Sequence, residues 1–208
     1  MQILTSPAPI PYPEAIAIME QRVEDVIAGR AEELIWFLEH PAIITAGTSA
    51  RESDIIDTTV QIINTGRGGK HTYHGPGQRV VYLILDLKKR AHPNPPDLRA
   101  YVKSLENCII TSLAEFGVEA FTRDGRVGVW VNQNSQEKKI AAIGVRVKKW
   151  VTSHGFSINL NPNLADYSSI VPCGIQGYGV TSLHEMGLSI TMQQLDASLL
   201  NKLPYNGY

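Results

Sequence analysis

A chain of 208 residues with 19 basic against 20 acidic side chains can bury a full core and shows no charge bias toward nucleic acid. No run approaches the roughly 18 uninterrupted apolar residues of a membrane span, and residues 1–15 have neither a secretory-signal nor a transit-peptide plan. Its two cysteines, far apart, argue against a disulfide framework or a cysteine zinc site, so one domain over 1–208 in a reducing, cytoplasmic setting is expected.

In chain order, a first amphipathic helix starts near Pro13 and stops at Gly29, with Ile16, Met19, Val23, Val26 and Ile27 at helical spacing. Short runs rich in β-branched residues then read as strands: Leu34–Leu38, Gln61–Asn64 and Arg79–Leu85. A second helix opens at Asp97 and ends at Gly117, its stripe running from Leu98 through Tyr101, Leu105, Cys108 and Leu113 to Phe116. Three more strands follow at Val127–Val131, Ile140–Val147 and Val151–Leu160. The last two flank Lys148-Lys149 as a hairpin, although the turn lacks the usual Asn-Gly signal. More strands than helices, in mixed order, predict an α+β fold with a mixed or mainly antiparallel sheet and helices on one side.

The two cysteines differ in setting. Cys108 lies on the apolar stripe of the second helix, where a thiol behaves as a small hydrophobe. Cys173 follows Pro172 and precedes Gly174 at the edge of a polar loop, a rigid site that suits a nucleophile better than a helix stripe does, although such a turn can be merely structural. A thiol near pKa 8.5 needs an activator, and His74, His154 and Lys139 are the candidates. Lys139 opens the small, apolar run Ile-Ala-Ala-Ile-Gly, where burial would favour the amine and a nearby ammonium would favour thiolate; Lys138-Lys139 also reads as a solvated basic edge.

The segment Thr65–Gly77 packs five glycines among Arg67, His71, Tyr73 and His74. It lacks the GxxxxGK[ST] of a P-loop and the GxGxxG of a dinucleotide site. No carboxylate or cysteine stands at useful spacing to His71 and His74, so a Gly-rich substrate loop is favoured over a metal site, and no metal is expected.

Four blocks carry a resemblance: Arg67-Gly-Gly-Lys-His-Thr-Tyr-His-Gly-Pro-Gly-Gln78, Lys139-Ile-Ala-Ala-Ile-Gly144, Thr152-Ser-His-Gly-Phe-Ser-Ile-Asn159 and Pro172-Cys-Gly-Ile175. With Glu39-His-Pro41 before a Thr45-Ala-Gly47 turn, they resemble, in family order, the lipoate-protein ligase B family of octanoyltransferases. The resemblance implies the fold of the biotin and lipoate protein ligases, a mixed, mainly antiparallel sheet flanked by helices. It implies Cys173 as acyl-thioester nucleophile and Lys139 as the group that lowers its pKa or acts as base. It implies a pocket lined by Arg67, Gly68, Gly69, Lys70, His71, Thr72, Tyr73 and His74, by Ala142, Ile143 and Gly144, and by Gly155, Phe156 and Ser157. Lys70-His71 and Thr45-Ala-Gly47 depart mildly from the family pattern.

The implied reaction moves an octanoyl or lipoyl group from the phosphopantetheine arm of acyl carrier protein to a lysine of lipoyl domains, those of 2-oxoacid dehydrogenase E2 subunits and glycine cleavage H protein. It needs no cofactor, membrane or nucleic acid. Lys88-Lys89-Arg90 and Arg146–Lys149 are possible docking clusters for an acidic carrier, and equally ordinary strand ends. Three rivals remain: an ATP-dependent ligase on the same scaffold, a hydrolase using Cys173 with His154, and a catalytically silent acyl-binding module.

Overall fold

The computed structural model describes residues 1–56, 60–170 and 178–204. Its first half comprises β1 (Gln2–Thr5), α1 (Tyr12–Ile27), β2 (Leu34–Leu38), β3 (Ile43–Ala46), β4 (Ile62–Asn64), β5 (His71–His74), β6 (Gln78–Ile84) and α2 (Leu87–Ala91). There follow α3 (Leu98–Ala114), β7 (Ala120–Arg123), β8 (Arg126–Gln133), β9 (Gln136–Lys148), β10 (Val151–Asn159), β11 (Gly179–Val180) and α4 (Met192–Lys202).

The main sheet runs β1-β2-β6-β10-β9-β8-β7, with β11 added alongside β9, and a smaller sheet runs β4-β3-β5. Among the described residues only the β1–β2, β3–β4 and β9–β11 pairs are parallel, so the mainly antiparallel α+β expectation holds. Helices, however, cover both faces of the main sheet rather than one. Leu34, Trp36 and Leu38 of β2 join Val80, Tyr82 and Ile84 of β6 beneath α1, while Ile35, Phe37, Val81 and Leu83 point oppositely, toward α3 and α4. Strand alternation divides these runs between two cores, and strands apolar on both faces need cover on both.

Local signals explain the helices that were legible. Pro13 sits in the first turn of α1, Gly29 takes φ 70° just beyond its end, and the Asp97 carboxylate caps α3 by accepting from the Arg99 and Ala100 N–H groups. Helix α4 was not expected, although its capping box is in the sequence: Thr191 accepts from the Gln194 N–H while Gln194 accepts from the Thr191 N–H. Nor were β1, β3, β5 and β7, each only four residues long. Thr45 and Ala46 belong to β3 rather than to a turn, and residues 71–74 form β5 rather than loop.

The β9–β10 hairpin turns on Lys149-Trp150, one residue beyond the expected pair, with φ 50° and 70°. Two left-handed residues in succession match a type I′ turn, whose twist suits the flanking strands even without Asn-Gly. A second two-residue turn, Asn134-Ser135, closes β8 on β9 with φ 51° and 60°.

Helix α4 is tied to β6 by a bidentate ion pair. Arg79 Nε and Nη2 donate to the Asp196 carboxylate at 2.8 and 2.9 Å, with the side chains 5% and 13% exposed. Burial raises the Asp196 pKa even with the guanidinium beside it, so the pair is held against a substantial desolvation cost. Asp196→Ala leaves Arg79 as a buried charge without its counterion and is expected to cost about 3–5 kcal/mol in urea unfolding. Asp196→Asn, which retains an acceptor, is expected to cost less in the same measurement.

Candidate active site

The site begins with register. Across β9–β10, Ala142 faces Ser157 and Gly144 faces Gly155; across β10–β6, Ser157 faces Val80 and Gly155 faces Tyr82. Small residues at 142, 144 and 157 keep this stretch of sheet low, and a gap remains between it and the loop above. A side chain at Gly155 would strike the Val81 carbonyl and Leu83, so glycine is what lets β10 lie this close to β6. The gap is a cavity of about 530 Å³, a volume suited to a small ligand.

Loop 66–70 and β5 form the roof. Gly68 N–H donates to the Val145 carbonyl at 3.1 Å, hanging the loop on the outer edge of β9. Arg67 is buried and fixes the loop to β3: Nη2 donates to Thr45 O and Oγ1 at 2.6 and 2.7 Å, and Nη1 to Gly68 O at 3.0 Å. A Cβ on Gly144 would come 3.1 Å from Gly68 O and 3.2 Å from Arg67 Cδ, so roof and floor are in close contact there.

Of the residues expected to line a pocket, Arg67, Gly68, Gly69, Lys70, Thr72, His74, Ala142, Ile143, Gly144, Gly155, Phe156 and Ser157 meet at this cavity. His71 and Tyr73 do not line it. Because residues 71–74 are a strand, alternate side chains point away, and the Tyr73 ring packs edge-on against Tyr167 at 5.2 Å. Lys70 at the rim pairs with Asp54 at 3.5 Å. Sequence reasoning missed Tyr12, Val80 and Tyr82 in the wall, since each reads as an ordinary apolar position of its helix or strand. The two suggested basic docking clusters are partly neutralised: Arg90 pairs with Glu33, Arg146 with Glu20 and Lys148 with Glu24.

One wall of the site holds His74 and His154, with the His40 ring packed against His74 at 5.7 Å. The Ile10 carbonyl can only accept, so His40 carries its proton on Nδ1 (2.6 Å) and its Nε2 accepts from the Tyr82 hydroxyl (2.8 Å). His74 Nδ1 donates to Gln78 Oε1 at 2.6 Å. His154 is 4% exposed and φ is 59°; among the described residues neither ring nitrogen has a hydrogen-bond partner. Burial lowers the pKa of His40 to about 4 and, helped by the Arg67 charge, that of His154 to about 3; His74 is pushed down in the same way. All three are therefore neutral near pH 7.

Lys139 lines a separate small pocket with Thr72, Ala142, Asn159, Tyr167 and Val180, of which Thr72 and Ala142 also line the cavity. It is 5% exposed, and its Nζ donates to the Val127 carbonyl at 2.9 Å and stands 4.8 Å from the centre of the Trp130 ring. It is thus a buried cation rather than a solvated edge. Cys173 lies outside the described residues. The flanks of its segment converge: Ile170 and Val180 share a small core with Tyr73 and Tyr167, Val180 is in register with Lys139, and Thr181 N–H donates to the Lys139 carbonyl at 3.0 Å. Cys108 is buried on α3, and desolvation pushes its thiol up to about 12.

The neutral histidines set an acid limit. Each binds its proton more weakly folded than unfolded, so stability is full above about pH 6.5 and falls as the unfolded chain protonates. For His40 the gap from 6.5 to about 4 corresponds to roughly 3 kcal/mol. Melting temperature is expected to be flat above neutrality and to drop steeply between pH 6.5 and 4, with a shallower drop in His154→Gln; a flat profile through that window contradicts the buried neutral wall.

Residues 11–204 match the Lipoyl protein ligase A/B catalytic domain family. The chain is 53% identical to an octanoyltransferase of Parvibaculum lavamentivorans over 199 residues, covering 93% of this chain and 87% of that one. It is 52% identical to an octanoyltransferase of Bradyrhizobium diazoefficiens over 200 residues, covering 93% and 79%. In fold it is similar to the bipartite lipoate protein ligase of Thermoplasma acidophilum (TM-score 0.69, 12% identity, 97% of this chain and 81% of that one). It is also similar to a mutant biotin protein ligase of Aquifex aeolicus in complex with biotin (TM-score 0.55, 14% identity, 99% and 70%). The family match over residues 11–204 and sequence identity above one half over nearly the whole length agree: the chain belongs to the lipoyl protein ligase A/B catalytic domain family.

Proposed function

We propose that this chain is a single catalytic domain that transfers octanoyl groups in protein lipoylation, with Cys173 as acyl carrier and Lys139 as its activator. The observation that carries the reading is the cavity, a slot floored by Ala142, Gly144 and Ser157, with a buried, carbonyl-anchored lysine in the adjoining pocket that shares Thr72 and Ala142 with it. Identity of about one half to proteins named octanoyltransferase supports it.

The donor is octanoyl-acyl carrier protein and the acceptor a lysine of a lipoyl domain, in the E2 subunits of 2-oxoacid dehydrogenases and in glycine cleavage H protein. The setting is cytoplasmic; no helix among the described residues is long and apolar enough to cross a membrane. The Cys173 thiolate attacks the thioester carbonyl, a new C–S bond forms, and the pantetheine thiolate leaves and takes up a proton. Exchange of one thioester for another is nearly isoenergetic and requires no ATP. The acceptor amine then attacks the acyl-enzyme, forms the amide, and returns its proton as the Cys173 thiolate is expelled. Both steps pass through a tetrahedral oxyanion, which oriented N–H donors stabilise.

Lys139 suits activation better than His154 does. Its ammonium, desolvated by burial, favours a thiolate brought beside it. On β10, His154 pairs with Val145 of β9, six positions (145 − 139) from Lys139 or about 20 Å along the strand. The chain leaves the Cys173 segment at the Lys139 end, through Tyr178 and Val180. This arrangement disfavours the hydrolase reading.

Incubation with octanoyl-carrier protein and no ATP is expected to add one octanoyl mass, removable by hydroxylamine. Cys173→Ala should abolish the adduct, and Cys108→Ala should retain it; an adduct surviving in Cys173→Ala removes the nucleophile assignment. Lys139→Ala should slow acylation at least tenfold and move thiol alkylation to higher pH.

Chain length tests the slot itself. Each buried methylene contributes about 0.8 kcal/mol, so a hexanoyl donor should lose about 1.6 kcal/mol, or roughly 15-fold in kcat/KM, against octanoyl. Equal rates for the two donors would show that the tail does not enter the cavity.

A further inference from the structure

Lys139 raises a question of support. A buried ammonium usually has a carboxylate partner, yet among the described residues no ion pair involves Lys139. One carbonyl and one aromatic face hold it instead. We propose that Trp130 is the positioning residue for Lys139, and that it couples the lysine to the point where the chain leaves the Cys173 segment. The proposal rests on the reading of Lys139 as the activator of Cys173.

The geometry is built from register outward. Trp130 and Lys139 are cross-strand partners, and the β8–β9 ladder slips between Val129 and Trp130. Such a bulge re-aims side chains locally. Just before the slip, Gly128 takes φ 110°, and a Cβ there would sit 2.6 Å from Ala141 O, 3.3 Å from Lys139 Cε and 3.5 Å from Nζ. The lysine tip therefore lies in the notch left by the missing side chain, with the Trp130 ring along its side.

Trp130 is itself fixed. It is 1% exposed, its Nε1 donates to the Arg126 carbonyl at 3.2 Å, and its ring meets Tyr178 at 5.6 Å and 76°. Tyr178 is the first described residue after 171–177, so the ring that supports Lys139 also seats the exit of that segment. Arg126 lies 4.9 Å from the Trp130 ring and 4.3 Å from the Tyr178 ring, its charge balanced by Glu137 at 2.5 Å.

The chemistry favours an aromatic support over an acid. A carboxylate would hold the ammonium but cancel its field at a neighbouring thiol. The negative face of an indole attracts the cation and adds no net charge, so the field remains available to stabilise a thiolate.

Two readouts test this. The first is placement: reductive methylation of Lys139, followed by mass spectrometry, should be at least several-fold faster in Trp130→Leu and Gly128→Ala than in the starting protein, and near its original rate in Trp130→Phe, which keeps a ring face. The second is chemistry: Trp130→Leu should shift the pH midpoint of Cys173 alkylation upward by about one unit and slow acylation about tenfold. In a Lys139→Ala background the same change should add little, since it acts through the lysine. Unchanged Lys139 labelling in both Trp130→Leu and Gly128→Ala overturns the proposal, as does an equal slowing by Trp130→Leu with and without Lys139. Faster labelling combined with an unaltered thiol profile in Lys139→Ala supports the placement and overturns the activation reading beneath it.

Discussion

Residues 136–148 form one long strand whose partners change along its length. Over its first half β9 is paired with β8, and over its second half with β10 on the opposite side, while β11 joins it at Lys138 and Lys139. Beyond Ala141 the β8 side of β9 carries no further strand among the described residues, and the glycine loop reaches that edge through the Gly68 to Val145 bond. The cavity lies along this second half, and Lys139 sits where the change of partner occurs. A shift of one residue in the β9 register would move Ala142 and Gly144 to the opposite face of the sheet and break up the small-residue floor.

This arrangement holds polar groups out of water at considerable cost. Arg67 commits its hydrogen bonds to Thr45 and Gly68, so it acts as a clamp between loop and strand before any ligand arrives. Three histidines remain neutral because burial outweighs any gain from charging them. Among the described residues, Lys139 has a carbonyl and a ring in place of a counterion. The two helical cores on either side of the sheet supply the apolar burial against which these desolvated groups are set.

Much of the framework was readable in advance. The two long amphipathic helices, the β2, β6 and β10 strands and the β9–β10 hairpin follow from periodicity and caps. Short strands did not, because four residues carry too little period to separate strand from loop. The segment 71–74 illustrates the consequence: its glycine-rich surroundings suggested loop, and strand geometry instead sends Thr72 and His74 to the cavity and turns His71 and Tyr73 away. Helix placement on both faces was missed for a similar reason, since β2 and β6 are continuous apolar runs whose two-sided burial depends on partners far away in sequence.

Ordered sequence blocks were sufficient for the family, since long motifs such as Arg67–Gln78 and Lys139–Gly144 tolerate few other contexts. Helical periodicity placed Cys108 on a buried stripe, as the structure bears out, whereas Cys173 lies outside the described residues. Whether Lys138-Lys139 was a solvated edge or a buried cation lay beyond local sequence. That was decided by the notch at Gly128, the bulge between Val129 and Trp130 and the Trp130 ring across the ladder, contacts made by residues that pair only once the sheet has closed. Burial is a property of neighbours in space, and for Lys139 those neighbours come from β5, β8, β10 and β11 rather than from its own run of chain.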